Sequence, residues 1–276
     1  MKKRSLNIYG VYALMAVSLV YALFPVYWMI ITSLKKSGEI ITIVPTFIPK
    51  VVVFDNYIAL FKKYKFLTAV SNSLTVSLVV SLVSVIVGFM AAYALARLNF
   101  RSKGIVLRSV LFAYLMPKAV LFIPLYMIIT NLGLNNTLLG LCLIYPTFTI
   151  PYVIWMLVSY LKSIPLSLEE AAIIDGCSRT QSMVRIVLPL SMPGVFSTFI
   201  ISVTLCWNEY LYAIVMIHDK AAKTIPLIIS EMIVGDVFAW GPLMAGATIA
   251  SIPILLIYLF SSNKVVGGLT VGGVKG

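Results

Sequence analysis

Charge is scarce in this chain. Asp, Glu, Lys and Arg supply only 11% of 276 residues, where a soluble domain carries roughly a quarter. Histidine occurs once, as His218, and the three cysteines, Cys142, Cys177 and Cys206, form no CxxC pair. These gaps leave no ligand set for a metal site and no disulfide frame. No lysine before Ser or Thr is preceded by glycine: the pairs are Lys36-Ser37, Lys162-Ser163 and Lys223-Thr224. A phosphate-cradling P-loop needs that glycine, so any nucleotide must be handled by another polypeptide. No nucleophile–base set is visible, and no cofactor is implied. What is abundant is apolar surface. Hydrophobic residues make up 61% of the chain, and the mean hydropathy is +1.04. A water-soluble core has no room for that excess, which points to a lipid bilayer. The net charge of +12 is scattered between apolar runs, a membrane-flank pattern rather than a nucleic-acid face.

A helix needs roughly 20 apolar residues to cross a bilayer. Six stretches qualify, at about 11–32, 71–96, 105–129, 138–161, 195–217 and 243–261. They predict an all-α membrane protein with six transmembrane helices in a single permease domain over residues 1–276. The first run is too long for a signal h-region and no A-x-A site follows it, so an uncleaved first span is expected. Prolines at Pro25, Pro117, Pro124, Pro146, Pro151 and Pro253 mark candidate kinks. With the N-terminus inside, Lys2, Lys3, Arg4, Arg97, Arg101, Lys103, Arg108, Lys162, Arg179, Arg185, Lys264 and Lys275 fall on the cytoplasmic side. Fewer basic residues fall outside, although Lys35 to Lys65 in the first outer loop run against the rule. The short second loop decides the orientation. Both termini are then cytoplasmic and the protein is multi-pass in the cell membrane.

The loop at 162–194 carries the densest local signals. Ser167 and Glu170 have capping-box spacing behind Pro165, which predicts a helix from Leu168 to Asp175. Gly176 suits the left-handed residue that ends it. Ser178 and Gln181 repeat the box and open a second helix, expected to close before Pro189. The product is a cytoplasmic helix–turn–helix whose Ala171, Ala172 and Gly176 allow close approach by another protein.

The run Glu170-Ala171-Ala172, then Asp175-Gly176, then Ile186-Val187-Leu188-Pro189 resembles the EAA loop of ABC importer permeases. Phe24-Pro25-Val26-Tyr27-Trp28-Met29 with Ser33-Leu34-Lys35, Asn72-Ser73-Leu74, Ala96-Arg97-Leu98-Asn99-Phe100-Arg101 and Trp207-Asn208-Glu209-Tyr210 are similar to the carbohydrate, maltose-type branch and its MalG-like subunit. So is the ending Gly268 to Gly276, with Gly273 where alanine is usual. Cys177 likewise replaces a common alanine. The resemblance implies that Glu169, Glu170, Ala171, Ala172, Asp175 and Gly176 form a coupling helix seated in an ATPase cleft. It also implies the partners: a second permease making a heterodimer, two ATP-binding subunits and an extracytoplasmic solute-binding protein. The expected function is import of a sugar or related solute by alternating access, with ATP hydrolysed by the partners. The chain itself would not be an enzyme.

Ionisable residues within spans cost roughly 2.5–3.5 kcal/mol at a helix centre and therefore suggest a role. Glu209 is expected inside the fifth helix and Lys118 halfway along the third. They either pair, snorkel to an interface, or line the solute path with Trp207 and Asn208. Trp207 would offer a flat apolar face to a sugar ring. Lys118 departs from the family pattern, and a cationic lining would suit an anionic solute. An ion-coupled secondary transporter with Glu209 and Lys118 as relay is the alternative. Six spans are few for it, and it has no need of a capped cytoplasmic knob.

Overall fold

The computed structural model describes residues 8–233 and 239–270, with residues 260–270 known as backbone only. Lys2, Lys3, Arg4, Lys275 and the end of the glycine-rich tail lie outside the described residues, as does the side chain of Lys264. The described residues hold helices and no strand. The first are α1 (Ile8–Ser33), α2 (Ser37–Ile40), α3 (Asp55–Tyr64), α4 (Phe66–Arg97), α5 (Lys103–Leu115), α6 (Lys118–Asn131) and α7 (Leu138–Ile144). Then come α8 (Pro146–Ser163), α9 (Ser167–Ile174), α10 (Arg179–Ser182), a π turn (Met183–Val187) and α11 (Leu188–Trp207). The chain closes with α12 (Leu211–Met216), α13 (Ile225–Glu231) and α14 (Trp240–Thr270).

Five helical stretches are long and apolar enough to span a membrane. A sixth arises if α5 and α6 count as one span, bent by 98° at their junction. The bend is where a single third helix was expected, and Pro117 is its local cause. Met116, just before the proline, is extended at φ −68°, ψ 129°, the conformation that a proline ring favours for its predecessor over the helical one. Pro25, Pro151, Pro193 and Pro253 sit inside continuous helices instead.

The helices form two compact units. One comprises the chain up to Phe66 together with Ile228–Ile252. Here Asn56 at the start of α3 donates to the carbonyls of Ser33 and Lys35, both at 2.8 Å. The hydroxyls of Ser33 and Tyr57 share a hydrogen bond of 2.8 Å. Gly241 on α14 lies so close to Asn56 that a Cβ there would sit 2.2 Å from its side-chain oxygen. The C-terminal end of α1 is thus tied down, while the rest of that helix is an exposed apolar rod. Water would not tolerate such a rod, whereas lipid or an apolar partner helix would.

The second unit comprises Leu67–Leu227 and the chain from Pro253. Its α4 presents small residues to α8. Ser77, Ser81 and Ser84 are fully buried, Ser84 bonds Thr149 at 2.6 Å, and a Cβ on Gly88 would meet Val153 at 2.4 Å. Small residues let membrane helices approach closely where no hydrophobic effect drives them together. Gly194 of α11 does the same against the Tyr160 ring of α8. Around these contacts lie two apolar clusters. One centres on Phe89, Val153, Leu157 and Leu161. The other centres on Val80, Leu141, Tyr145 and Tyr212. The first supports the loop carrying α9, and the second lies against Lys118 and Glu209.

Candidate coupling loop and membrane-buried charges

The loop between α8 and α11 begins at Pro165, and α9 follows from Ser167. The capping box expected from Ser167 and Glu170 is absent. Leu166 is the N-cap, with no side-chain cap bond. Its carbonyl already accepts from the amides of Glu169 and Glu170, at 2.9 and 3.1 Å. Those amides therefore need no serine, and Ser167 is helical. Gly176 ends α9 at φ +91°, in the left-handed region that side chains resist. Cys177 then donates back to the Ala172 carbonyl at 2.9 Å. The second box does form: Gln181 N donates to Ser178 Oγ at 3.2 Å, and Ser178 N to Gln181 Oε1 at 2.8 Å.

The helix opened at Ser178 does not close before Pro189. It continues through the π turn, in which Leu188 N reaches five residues back to the Met183 carbonyl, and on through α11. A proline early in a helical segment forfeits a backbone bond, and a π turn is a usual way to absorb such an irregularity. One helical rod of 29 residues, Arg179–Trp207, therefore joins the loop to the membrane.

Glu169 turns inward. It is 4% exposed, accepts from Tyr93 Oη at 2.9 Å and forms an ion pair with Arg97. Arg97 also donates to the Ile164 carbonyl at 2.9 Å. Within the loop, Glu169 is thus an anchor to the end of α4, and Ala172 is buried beside it. The outward face consists of Glu170, Ala171, Asp175 and Gly176 with the apolar side chains of Leu166, Leu168, Ile173 and Ile174. Ile174 is 85% exposed. Sequence reasoning missed Tyr93 and Arg97 as partners of Glu169. Arg97 was noted only within the motif at 96–101, and Tyr93, one turn before it at the end of an apolar run, gave no signal of its own.

The buried charges also meet. Lys118 is the first residue of α6, directly after the break at Pro117. Glu209 lies in a second break, between α11 and α12, rather than within a continuous fifth helix. Lys118 pairs with Glu209, and its Nζ stands 3.9 Å from the centre of the Phe148 ring. Glu209 also accepts from Tyr212 N at 3.2 Å, closing the start of α12. The far end of α12 is held by Asn136. That residue donates from its amide to the Met216 carbonyl at 2.9 Å and accepts from the amides of His218 and Asp219.

The other two residues of the expected path differ in exposure. Asn208 is exposed and caps its own helix through Thr204 O at 2.9 Å. Trp207 is 4% exposed, with its ring packed among the helices. The pair is asymmetric: the Lys118 side chain is 38% exposed and that of Glu209 only 4%. Phe148 and Tyr212 complete the cluster and stack at 6.0 Å.

The described residues thus form a set of long apolar helices, one pair sharply bent, with an anchored helical loop between α8 and α11. The chain belongs to the family of binding-protein-dependent transport system inner membrane components, which matches residues 84–266. Among its relatives is the inner membrane ABC transporter permease protein YcjP of Escherichia coli (strain K12), 36% identical over 99% of both chains. Another is the trehalose transport system permease protein SugB of Mycobacterium tuberculosis (strain CDC 1551 / Oshkosh), 36% identical over 93% of each. The fold matches a chain from the crystal structure of a bacterial ABC transporter involved in the import of the acidic polysaccharide alginate. The TM-score is 0.79 at 21% identity, covering 95% of this chain and 98% of the other.

Proposed function

We propose that this chain is one half of a sugar-translocating pore, worked by ATPase subunits that grip the loop at 162–194. The observation that carries the reading is mechanical. The exposed face of α9 is fixed to α4 through Glu169, Arg97 and Tyr93, and the same loop runs without a gap into α11. Force applied at α9 therefore reaches two spans at once. Its apolar, small-residue surface suits seating in a protein cleft, and rigid elements of this kind are how domain rotations are transmitted.

In this reading both termini are cytoplasmic. A second permease completes a heterodimer and covers the apolar flank of α1. Two ATP-binding subunits take the cytoplasmic face, and an extracytoplasmic binding protein docks against residues 33–70 and 218–242. The sugar class rests on the motif likeness and on the relative named for trehalose transport. Lys118, Glu209 and Asn208 border the path, where the ion pair offers a donor and an acceptor with no net charge.

The test is uptake of radiolabelled sugar into proteoliposomes holding the complete assembly. ATP-dependent uptake is expected, lost together with ATPase association when Glu170–Gly176 is replaced by a flexible linker. Uptake by the chain without ATPase subunits, driven by an ion gradient, would establish secondary transport instead.

A further inference from the structure

A cavity of about 560 Å³ opens in the unit formed by the C-terminal end of α1, α2 and the start of α14. Its size falls within the usual range of small-ligand sites, roughly 300–1,000 Å³. Trp28 and Trp240 both line it, with Thr32, Lys35, Glu39 and Met244. Trp28 is locked in place by Phe24 at 6.0 Å and Phe47 at 5.8 Å between ring centres. Lys35 is 2% exposed, lies 4.6 Å from the Trp28 ring centre and donates to the Thr46 carbonyl. Trp240 keeps 39% of its surface exposed.

One polar feature of the lining points to a ligand. Glu39 is fixed by Thr46 Oγ1 at 2.7 Å and by the Lys50 amide at 2.9 Å. The Thr46 bond, followed by that amide, holds its carboxyl below the ordinary range. At neutral pH it is an ionised acceptor, oriented by its own loop.

The combination selects among ligands. An acyl chain would gain nothing from Lys35 and Glu39. A phosphate headgroup would be repelled by Glu39, and the one cation in the lining is already committed to a carbonyl and an indole face. A neutral sugar ring fits both demands, since its C–H faces stack on indole while its hydroxyls donate to a carboxylate. We propose that this cavity is a saccharide-binding site, whose lining shares no residue with the path bordered by Lys118 and Glu209. It rests on the sugar-importer reading given above.

The experiment uses the chain with its partner permease in phosphatidylethanolamine/phosphatidylglycerol nanodiscs, without the binding protein. Trehalose, maltose, lactose and N,N′-diacetylchitobiose are titrated while tryptophan fluorescence is followed, and uptake of the same sugars is measured with the complete transporter. A transported sugar is expected to give a saturable change. That change should weaken about tenfold or vanish in Trp240→Leu and in the near-isosteric Glu39→Gln, and persist in Trp155→Phe. If a transported sugar gives no change, or the change survives both pocket variants, the saccharide site is refuted while the sugar reading stands. If no sugar is transported, both fall. Retention of a phospholipid seen by native mass spectrometry, and lost in both pocket variants, would assign the cavity to lipid and overturn the proposal.

Discussion

Removing Arg97 is the sharpest test of how the loop at 162–194 is held. The side chains of Arg97 and Glu169 are 8% and 5% exposed, so this is a buried pair rather than a surface one. Surface pairs contribute about 0–1 kcal/mol. Breaking a buried pair by deleting one partner costs about 3–5 kcal/mol, because the survivor is left desolvated. In Arg97→Met the Glu169 carboxylate keeps only the Tyr93 hydroxyl as a side-chain partner. In Glu169→Met the guanidinium keeps only the Ile164 carbonyl. At about 1.4 kcal/mol per factor of ten, 3–5 kcal/mol shifts the docked equilibrium of α9 by about two to three and a half decades. The double variant Arg97→Met/Glu169→Met leaves no stranded charge and is expected to recover most of that loss. The assay is sugar transported per ATP hydrolysed in proteoliposomes, read beside thermal unfolding in detergent. Each single variant should hydrolyse ATP while transporting poorly, and the double variant should be more coupled than either. Additive losses, or single variants as coupled and as stable as the wild type, would refute the anchor.

The Lys118–Glu209 pair predicts an asymmetry. Lys118→Met strands a carboxylate 4% exposed and should cost about 3–5 kcal/mol, whereas Glu209→Gln leaves a lysine that reaches solvent and should cost about 1 kcal/mol. Thermal melts of the two variants check the order, and equal losses would contradict it. Gly88→Ala places a Cβ 2.4 Å from Val153 Cγ1, so overpacking of about 1–3 kcal/mol should lower the melting temperature. Gly176→Ala meets nothing within 4 Å, so its penalty of about 1–2 kcal/mol comes from the φ of +91° alone. It should weaken pull-down of the ATPase subunits while leaving the melting temperature of the membrane helices unchanged.

The spans were legible because membrane crossing is a local property of the chain. A run of apolar residues of sufficient length needs no knowledge of its neighbours to be recognised. The loop at 162–194 was legible for a similar reason: Gly176 and the Ser178–Gln181 box act within one turn of backbone. The Ser167–Glu170 box had the same spacing and failed, because backbone carbonyls already served the amides it would have capped. Tyr93 and Arg97 were overlooked as partners of Glu169 because the contact spans more than 70 positions. Trp207 looked like a solute platform by residue type, yet packing buried it.

By itself, then, the sequence determined an all-helical membrane permease, roughly where its apolar stretches fall, and which loop between them folds into short helices. The tertiary structure decided which charges meet and which prolines break a helix. Pro117 and Pro151 remove the same backbone donor, but the first opens a 98° bend and the second stays within α8. Each proline frees a carbonyl, and surrounding groups determine whether the helix can absorb the loss. Two ionised side chains likewise gain from approaching each other in an apolar surround wherever they lie in the chain. Only the packing of α6 beside α12 says that Lys118 and Glu209 are the ones that do.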